Sequence, residues 1–324
     1  ASIGICPYAS SSKGPDAMLA QADLALYRSK EKGRNQYHFH SDDLDQEVLD
    51  QVVLANELRI AIDHDELELY FQPQVELSAG KIVGMEALVR WNHPTRGFLV
   101  AADFISIAEK TGIVVKLGHW VLEQACRQMR LWHDDGIAPP VIAINLSLAQ
   151  IKSGQELLCD VTETIEKWNL SPSEIEFDVT EATLAQTKWT QNDILPKLCE
   201  LGIKIAIDNF GTEYSSFDYL KSYHVNHLKI AQALINRALK DPGQATMIRA
   251  IIDFAKGLGI GIIAEGVETK EQRALLLSTE STAQAQGFYF SDAVDNLRAS
   301  EFLREGGITL NDDRTVSSNK SSLL

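Results

Sequence analysis

The chain has 324 residues, 45% of them hydrophobic and 23% charged, enough to bury a core of barrel size. Its net charge of −15 argues against DNA as a partner, because phosphate binding favours clustered Lys and Arg; a divalent cation can still bring a nucleotide to an acidic protein. Four separated cysteines (Cys6, Cys126, Cys159, Cys199), no apolar run of membrane-spanning length and no signal peptide point to a reduced, cytoplasmic protein, here expected to be a fragment of a larger one.

Residues 1–40 read as strand, loop and helix. Asp16 to Lys32 carries a helical stripe of Met18, Leu19, Ala22, Ala25 and Leu26, ended by Gly33. The run from Ala22 through Leu26, Tyr27 and Lys32 to Gly33, Arg34 and Asn35 resembles the closing segment of a GGDEF diguanylate cyclase domain. The cyclase signature loop is absent from these residues, so the resemblance implies no cyclase activity here. Residues 41–65, with Leu44, Val48, Val52, Leu54, Leu58 and Ile62 at helical spacing, read as a linker helix.

From Glu66 the pattern becomes repeated strand and helix. The expected strands are 66–77, 81–91, 141–147, 174–180, 204–209, 227–231, 260–265 and 286–290. Amphipathic helices are expected over 114–135, 149–168, 187–201, 244–258 and 269–279. Eight strands with interleaved helices predict an α/β barrel over 66–305. Only Ser78, Ala79 and Gly80 join the first two strands, too short a link for a parallel crossover, so the expected fold is a modified TIM (β/α)8 barrel with one antiparallel strand. The polar residues 306–324 read as a disordered tail.

The strand ends carry chemistry. Glu86 and Arg90, Asn145, Asp178 with Glu181 just beyond, Asp208 with Asn209, Lys229, and Glu265 with Glu268 just beyond all fall where a barrel's catalytic rim forms. Any one of them alone is an ordinary polar group at a strand end. Several carboxylates at one rim repel unless a cation holds them, and oxygen ligands point to Mg2+ or Mn2+. Trp91 and His93 are expected to pack or cap, Trp120, Trp132 and Trp168 to pack on helical stripes, and His224 and His227 to flank a strand start.

The run from Glu86 through Ala87, Leu88, Arg90 and Trp91 to Pro94 resembles the signature of the EAL family of cyclic di-GMP phosphodiesterases. So do Ala143–Ser147, Asp178–Glu181, Ile207–Ser216, Leu228–Ile230, Ala264–Thr269 and Gln286–Gly287. The resemblance implies a modified TIM barrel and two-metal hydrolysis of cyclic di-GMP to linear pGpG in bacterial second-messenger signalling. It places Glu86, Asn145, Asp178 and Asp208 on a first metal, and Asp208, residue 209 and Glu265 on a second. Lys229 would activate the attacking water, Arg90 would hold phosphate, and Gln72, Glu268 and Gln286 would lie against the nucleotide. Glu181 would anchor the loop containing Phe210, Gly211 and Glu213, through which the family tends to dimerise, and Ca2+ is expected to inhibit.

Four positions depart from the family pattern. Asn209 stands for the second Asp of a pair, Asp178 for a Glu, Glu213 for a Gly, and Ala231 for an Asp. Two altered metal ligands weaken catalysis more than nucleotide binding. Two readings therefore stay open: an attenuated phosphodiesterase, and a catalytically inactive receptor for cyclic di-GMP.

Overall fold

The computed structural model describes residues 1–7, 14–31, 33–187, 193–212, 225–279 and 283–310. They form two compact units divided between Ile60 and Ala61. In the first, β1 (Ile3–Ile5) and β2 (Tyr37–Phe39) pair in parallel, joined through α1 (Pro15–Glu31). Gly4 lets β1 lie directly on α1, since a Cβ there would come within 2.0 Å of the Ala22 carbonyl oxygen. A single helix, α2 (Asp42–Ala61), follows β2.

The second unit is a closed barrel with one extra strand. Its strands are β3 (Leu67–Glu76), β4 (Ile82–His93), β6 (Ile142–Asn145), β7 (Ile175–Thr180), β8 (Lys204–Phe210), β9 (His227–Ile230), β10 (Gly261–Ala264) and β11 (Gln284–Ala285). They follow the order β3-β11-β10-β9-β8-β7-β6-β4, and β3 closes the ring on β4. Strand β3 runs antiparallel to both neighbours while the remaining barrel pairings are parallel. The short Ser78–Gly80 link thus acts as the sequence predicts. The extra strand, β5 (Gly97–Val100), adds antiparallel to the outer part of β4 and was not expected from the sequence.

Alternation along the strands separates two faces. Ile144, Phe177, Val179, Ile205, Ile207, Leu228 and Ile262 are buried on the helix-facing side. They pack beneath α4 (Ile113–Asp134), α6 (Gln155–Lys167), α8 (Ile194–Glu200) and α10 (Pro242–Leu258), with α3 (Ala101–Thr111), α5 (Leu148–Ser153), α7 (Glu181–Ala185), α9 (Gln232–Ala238), α11 (Lys270–Thr279) and α12 (Asn296–Glu305) completing the described helices. Trp132 of α4 is buried edge-on against Phe71 of β3, whereas Trp120 and Trp168 are only half buried. The opposite face carries the polar residues into the barrel.

Three expectations need correction. The strand expected over 286–290 is instead the two-residue β11, because the chain turns against Val267 at Gly287, whose φ is 147° and whose Cβ would come within 2.3 Å of the Val267 nitrogen. The helix expected over 149–168 breaks at Gly154, with φ 60°. Part of the tail is ordered: Gly307 bridges Lys81, the Ile308 N–H donates to the Gly80 carbonyl, and Ile308 is buried. Residues 311–324 lie outside the described set.

Candidate active site

Lys229 organises the barrel mouth. It is fully buried on β9, and its Nζ lies 2.8 Å from Asp178 Oδ2 on β7, 3.0 Å from Glu265 Oε1 just past β10, and 3.3 Å from Glu86 Oε2 on β4. Asn145 at the end of β6 donates to Glu86 Oε1 at 2.9 Å. Gln286 donates from Nε2 to Glu86 Oε2 at 2.7 Å and to Glu265 Oε1 at 3.1 Å. Five of the expected residues thus gather around the ammonium of a sixth, from parts of the chain up to 200 residues apart in sequence.

Asp208 completes the acidic set from β8. Pairing with β9 shifts between Ile207 and Phe210, and the irregular step holds Asn209 at φ 55°, a conformation asparagine tolerates better than most residues. The Asn209 N–H donates to Asp208 Oδ1 at 2.7 Å and its side-chain Nδ2 to Asp208 Oδ2 at 3.1 Å. Both carboxylate oxygens of Asp208 therefore accept from its neighbour. Phe210 turns back into the core, and Gly211 follows at φ 90° with its N–H on Glu181 Oε2 at 3.1 Å. A Cβ at Gly211 would press within 2.6 Å of Leu234 Cδ1. Glu213 and His224 lie outside the described residues.

The remaining expected residues stand around this cluster. Gln72 is the cross-strand partner of Glu86, yet its side chain donates to the Ser291 carbonyl at 3.1 Å. Arg90 stands two pleats outward, its guanidinium over the Tyr70 ring at 5.6 Å. Glu268 accepts from Gln232 at 2.7 Å. Trp91 is buried with its indole N–H on Glu66, and His93 Nδ1 accepts the N–H groups of Thr95 and Arg96 as a turn cap.

The electrostatics are unbalanced. Four carboxylates (Glu86, Asp178, Asp208, Glu265) face one ammonium in a region of low dielectric. Burial pushes Asp178 well above the usual carboxylate range, and the neighbouring acids add to this against the pull of Lys229. Burial likewise takes Glu265 up to about 8, opposed by Lys229 and aided by Asp208 and Glu86. For Glu86, burial pushes upward, but Lys229 together with hydrogen bonds from Gln286 and Asn145 holds the pKa below the usual value. Burial works against the charge on Lys229, and the surrounding acids outweigh it and raise the pKa well above that of a free lysine.

Among the described residues no three His, Cys, Asp or Glu side chains form a ready-made metal cage, because Lys229 sits at their common point. The donor set nonetheless suits a hard cation: it is rich in oxygen and short of positive charge, and Asp178 Oδ1 is buried without a partner. An added dication would supply what that oxygen lacks.

A second polar layer beneath this one was not anticipated. His227 Nδ1 lies 2.5 Å from Oε2 of the fully buried Glu176, reaching across β8 where Ala206 is small. Gly261 makes room for the imidazole, since a Cβ there would come within 2.4 Å of its ring. Gln74, also buried, donates to Gln286 Oε1 at 3.3 Å and so supports the residue that bridges Glu86 and Glu265. The only sequence signal for these residues was polar character at the alternate positions of buried strands.

Comparison with known proteins supplies the family. The EAL domain model matches residues 55–293. The chain is 39% identical over 276 residues to the bifunctional diguanylate cyclase/cyclic di-GMP phosphodiesterase MucR of Pseudomonas aeruginosa, covering 85% of this chain and 40% of that protein. It is 32% identical over 290 residues to the cyclic di-GMP phosphodiesterase PdeR of Escherichia coli, covering 90% and 43% respectively. The chain therefore spans about two fifths of the length of these relatives. Among solved structures, the PaMucR phosphodiesterase in complex with c-di-GMP superposes with a TM-score of 0.69 at 37% identity, covering 76% of this chain and 99% of that one. The EAL enzyme Bd1971 in its cAMP- and cyclic-di-GMP-bound form gives 0.75 at 29% identity, covering 90% and 77%. With more than half its length matched, and with the same closed barrel, the chain belongs to the EAL domain family.

Proposed function

We propose that the barrel binds cyclic di-GMP and hydrolyses one of its phosphodiester bonds, releasing linear pGpG, at a rate lowered by its own substitutions. The convergence of Glu86, Asp178 and Glu265 on Lys229, with Asn145 bonded to Glu86, Asp208 on the adjoining strand β8 and the Asp178 Oδ1 oxygen unpaired, carries this reading. Relatives named as cyclic di-GMP phosphodiesterases and a neighbour solved with c-di-GMP support it.

Glu86, Asn145, Asp178 and Asp208 would hold one Mg2+ or Mn2+, and Asp208, Asn209 and Glu265 a second, with Ca2+ occupying the site unproductively. When bound, such a pair stabilises the attacking and leaving oxygens of an in-line displacement. The chain's own contribution is positional and electrostatic. Lys229, held charged by three acids, presents its ammonium to the water or to the phosphate; Gln286 fixes the carboxylates of Glu86 and Glu265 relative to each other. Arg90 supplies the phosphate contact from the wall above.

Asn209 is the reason for a lowered rate. Beyond lacking a charge, its amide N–H occupies Asp208 Oδ2, the oxygen that would otherwise turn to a cation. The same observation favours the second reading, a receptor that binds cyclic di-GMP without turning it over. Assay of pGpG formation with Mg2+ and Mn2+, beside calorimetry with cyclic di-GMP in Ca2+, separates the two. Turnover abolished by Glu86→Ala establishes the enzyme; tight binding with no product establishes the receptor. We further infer that residues 1–40 are the end of a GGDEF domain, consistent with the parallel β1–α1–β2 unit, and that the protein acts in the cytoplasm.

A further inference from the structure

The β3–β4 hairpin continues beyond the barrel mouth, where β5 joins it. Its two faces differ. Leu67, Val89 and Trp91 are buried, with Trp91 edge-on to Phe104 of α3 at 5.6 Å. The alternate residues pass from buried Glu86, through half-buried Leu88 and Arg90, to exposed Asn92 and its β5 partner Phe98. One face of the hairpin is therefore an open wall rising from the acidic cluster.

Two aromatic rings stand on that wall. Tyr70 and Phe98 have centroids 5.4 Å apart with planes tilted by 58°, and Phe98 is 49% exposed. Arg90 lies over the other ring of the pair, and among the described residues its one hydrogen bond is from Nη1 to the Val89 carbonyl at 3.0 Å. The rest of its fork is available to an anion. The Tyr70–Leu88 pair is the next same-face pair outward from Gln72–Glu86, a rise of about 7 Å along the strand. An exposed aromatic face, a guanidinium with unused donors and a phosphodiester-cleaving cluster thus follow one another up a single sheet face.

We infer that Phe98 and Tyr70 form a stacking platform for one purine base of the cyclic dinucleotide, with Arg90 beside it on the adjoining phosphate. This rests on the cyclic di-GMP reading and adds to it the residues that hold a base. Aromatic faces bind any base through its π-surface, so the platform supplies affinity and places the dinucleotide, while base identity is read by polar groups elsewhere. A merely protective role, with the rings shielding the Arg90 stem, calls only for apolar cover, which leucine gives as well as phenylalanine.

The test is calorimetric titration of the 324-residue chain with cyclic di-GMP in Ca2+, paired with fluorescence of an analogue carrying 2-aminopurine in place of one guanine. Phe98→Leu and Phe98→Ala should each weaken binding about tenfold, the effect expected for one lost base stack, while Phe98→Trp holds near-native affinity. Leu131→Ala, at an exposed leucine on α4, should leave the titration unchanged. The 2-aminopurine signal should be quenched by the unaltered chain and not by Phe98→Leu, with equal melting temperatures showing that both are folded. Native affinity and full quenching in Phe98→Leu would overturn the platform while leaving cyclic di-GMP binding intact. No binding by the unaltered chain would overturn the cyclic di-GMP reading and the platform together.

Discussion

The barrel holds two polar layers, one above the other, and they differ in charge balance. In the lower layer a single acid, Glu176, faces a single imidazole, His227, with Ala206 and Gly261 shaped around the pair. In the upper layer four acids face one lysine, whereas an unpaired carboxylate oxygen is found in both layers, Asp178 Oδ1 above and Glu176 Oε1 below. Both come from alternate residues of the same strands: Glu176 and Asp178 on β7, His227 and Lys229 on β9. Burial of polar groups therefore does not mark the working site. A matched pair can serve structure alone, whereas an excess of buried negative charge is costly unless a cation or substrate completes it.

The largest break in that comparison should come from the upper layer. Glu86→Ala removes the acid that touches Lys229, Asn145 and Gln286, and pGpG formation should fall at least about a thousandfold, or about 4 kcal/mol at 1.4 kcal/mol per decade. Initial rates in Mn2+ check this, and activity retained within tenfold would remove Glu86 from the chemistry. In the lower layer, His227→Ala strands a fully buried carboxylate and should cost about 3 kcal/mol of stability. Urea unfolding reads that loss; a change below about 1 kcal/mol would mean that the pair behaves like an exposed one.

Cation addition sharpens the contrast further. At a hundredfold excess over its Kd, Mn2+ should stabilise the chain by about 2.7 kcal/mol. Asp178→Asn, which removes the carboxylate bearing the unpaired oxygen, should lose most of this stabilisation in thermal melts. Equal stabilisation of both chains would place the ion elsewhere. The smallest expected change is a gain. Asn209→Asp takes an N–H off Asp208 Oδ2 and restores a charge, and it should raise hydrolysis about tenfold. An unchanged rate would show that position 209 is not the limiting defect.

Much of this was legible in the chain itself. Glu86, Asn145, Asp208 and Glu265 each follow an apolar stretch and Asp178 and Lys229 lie in short expected strands, and that placement was enough to predict a shared rim. The three-residue link at Ser78–Gly80 was enough to predict the reversed strand, since no crossover fits into it. The lower layer was less visible. Strands buried on both sides read as nearly continuous apolar runs, so Glu176 and Gln74 gave no sign of which partners they would find.

What the sequence determined by itself was seven of the eight barrel strands, the one antiparallel pairing and the acidic residues at the strand ends, because those follow from local alternation and the reach of short turns. Tertiary structure decided the partnerships: Gln286 with Glu86, His227 with Glu176, Tyr70 with Phe98, and Asn209 folded back on Asp208. Most of these join strands far apart in the chain, at distances set by barrel closure and by where glycine or alanine leaves room. Even the Asn209 contact depends on the irregular step in β8 and its φ of 55°, which nothing in the local sequence states.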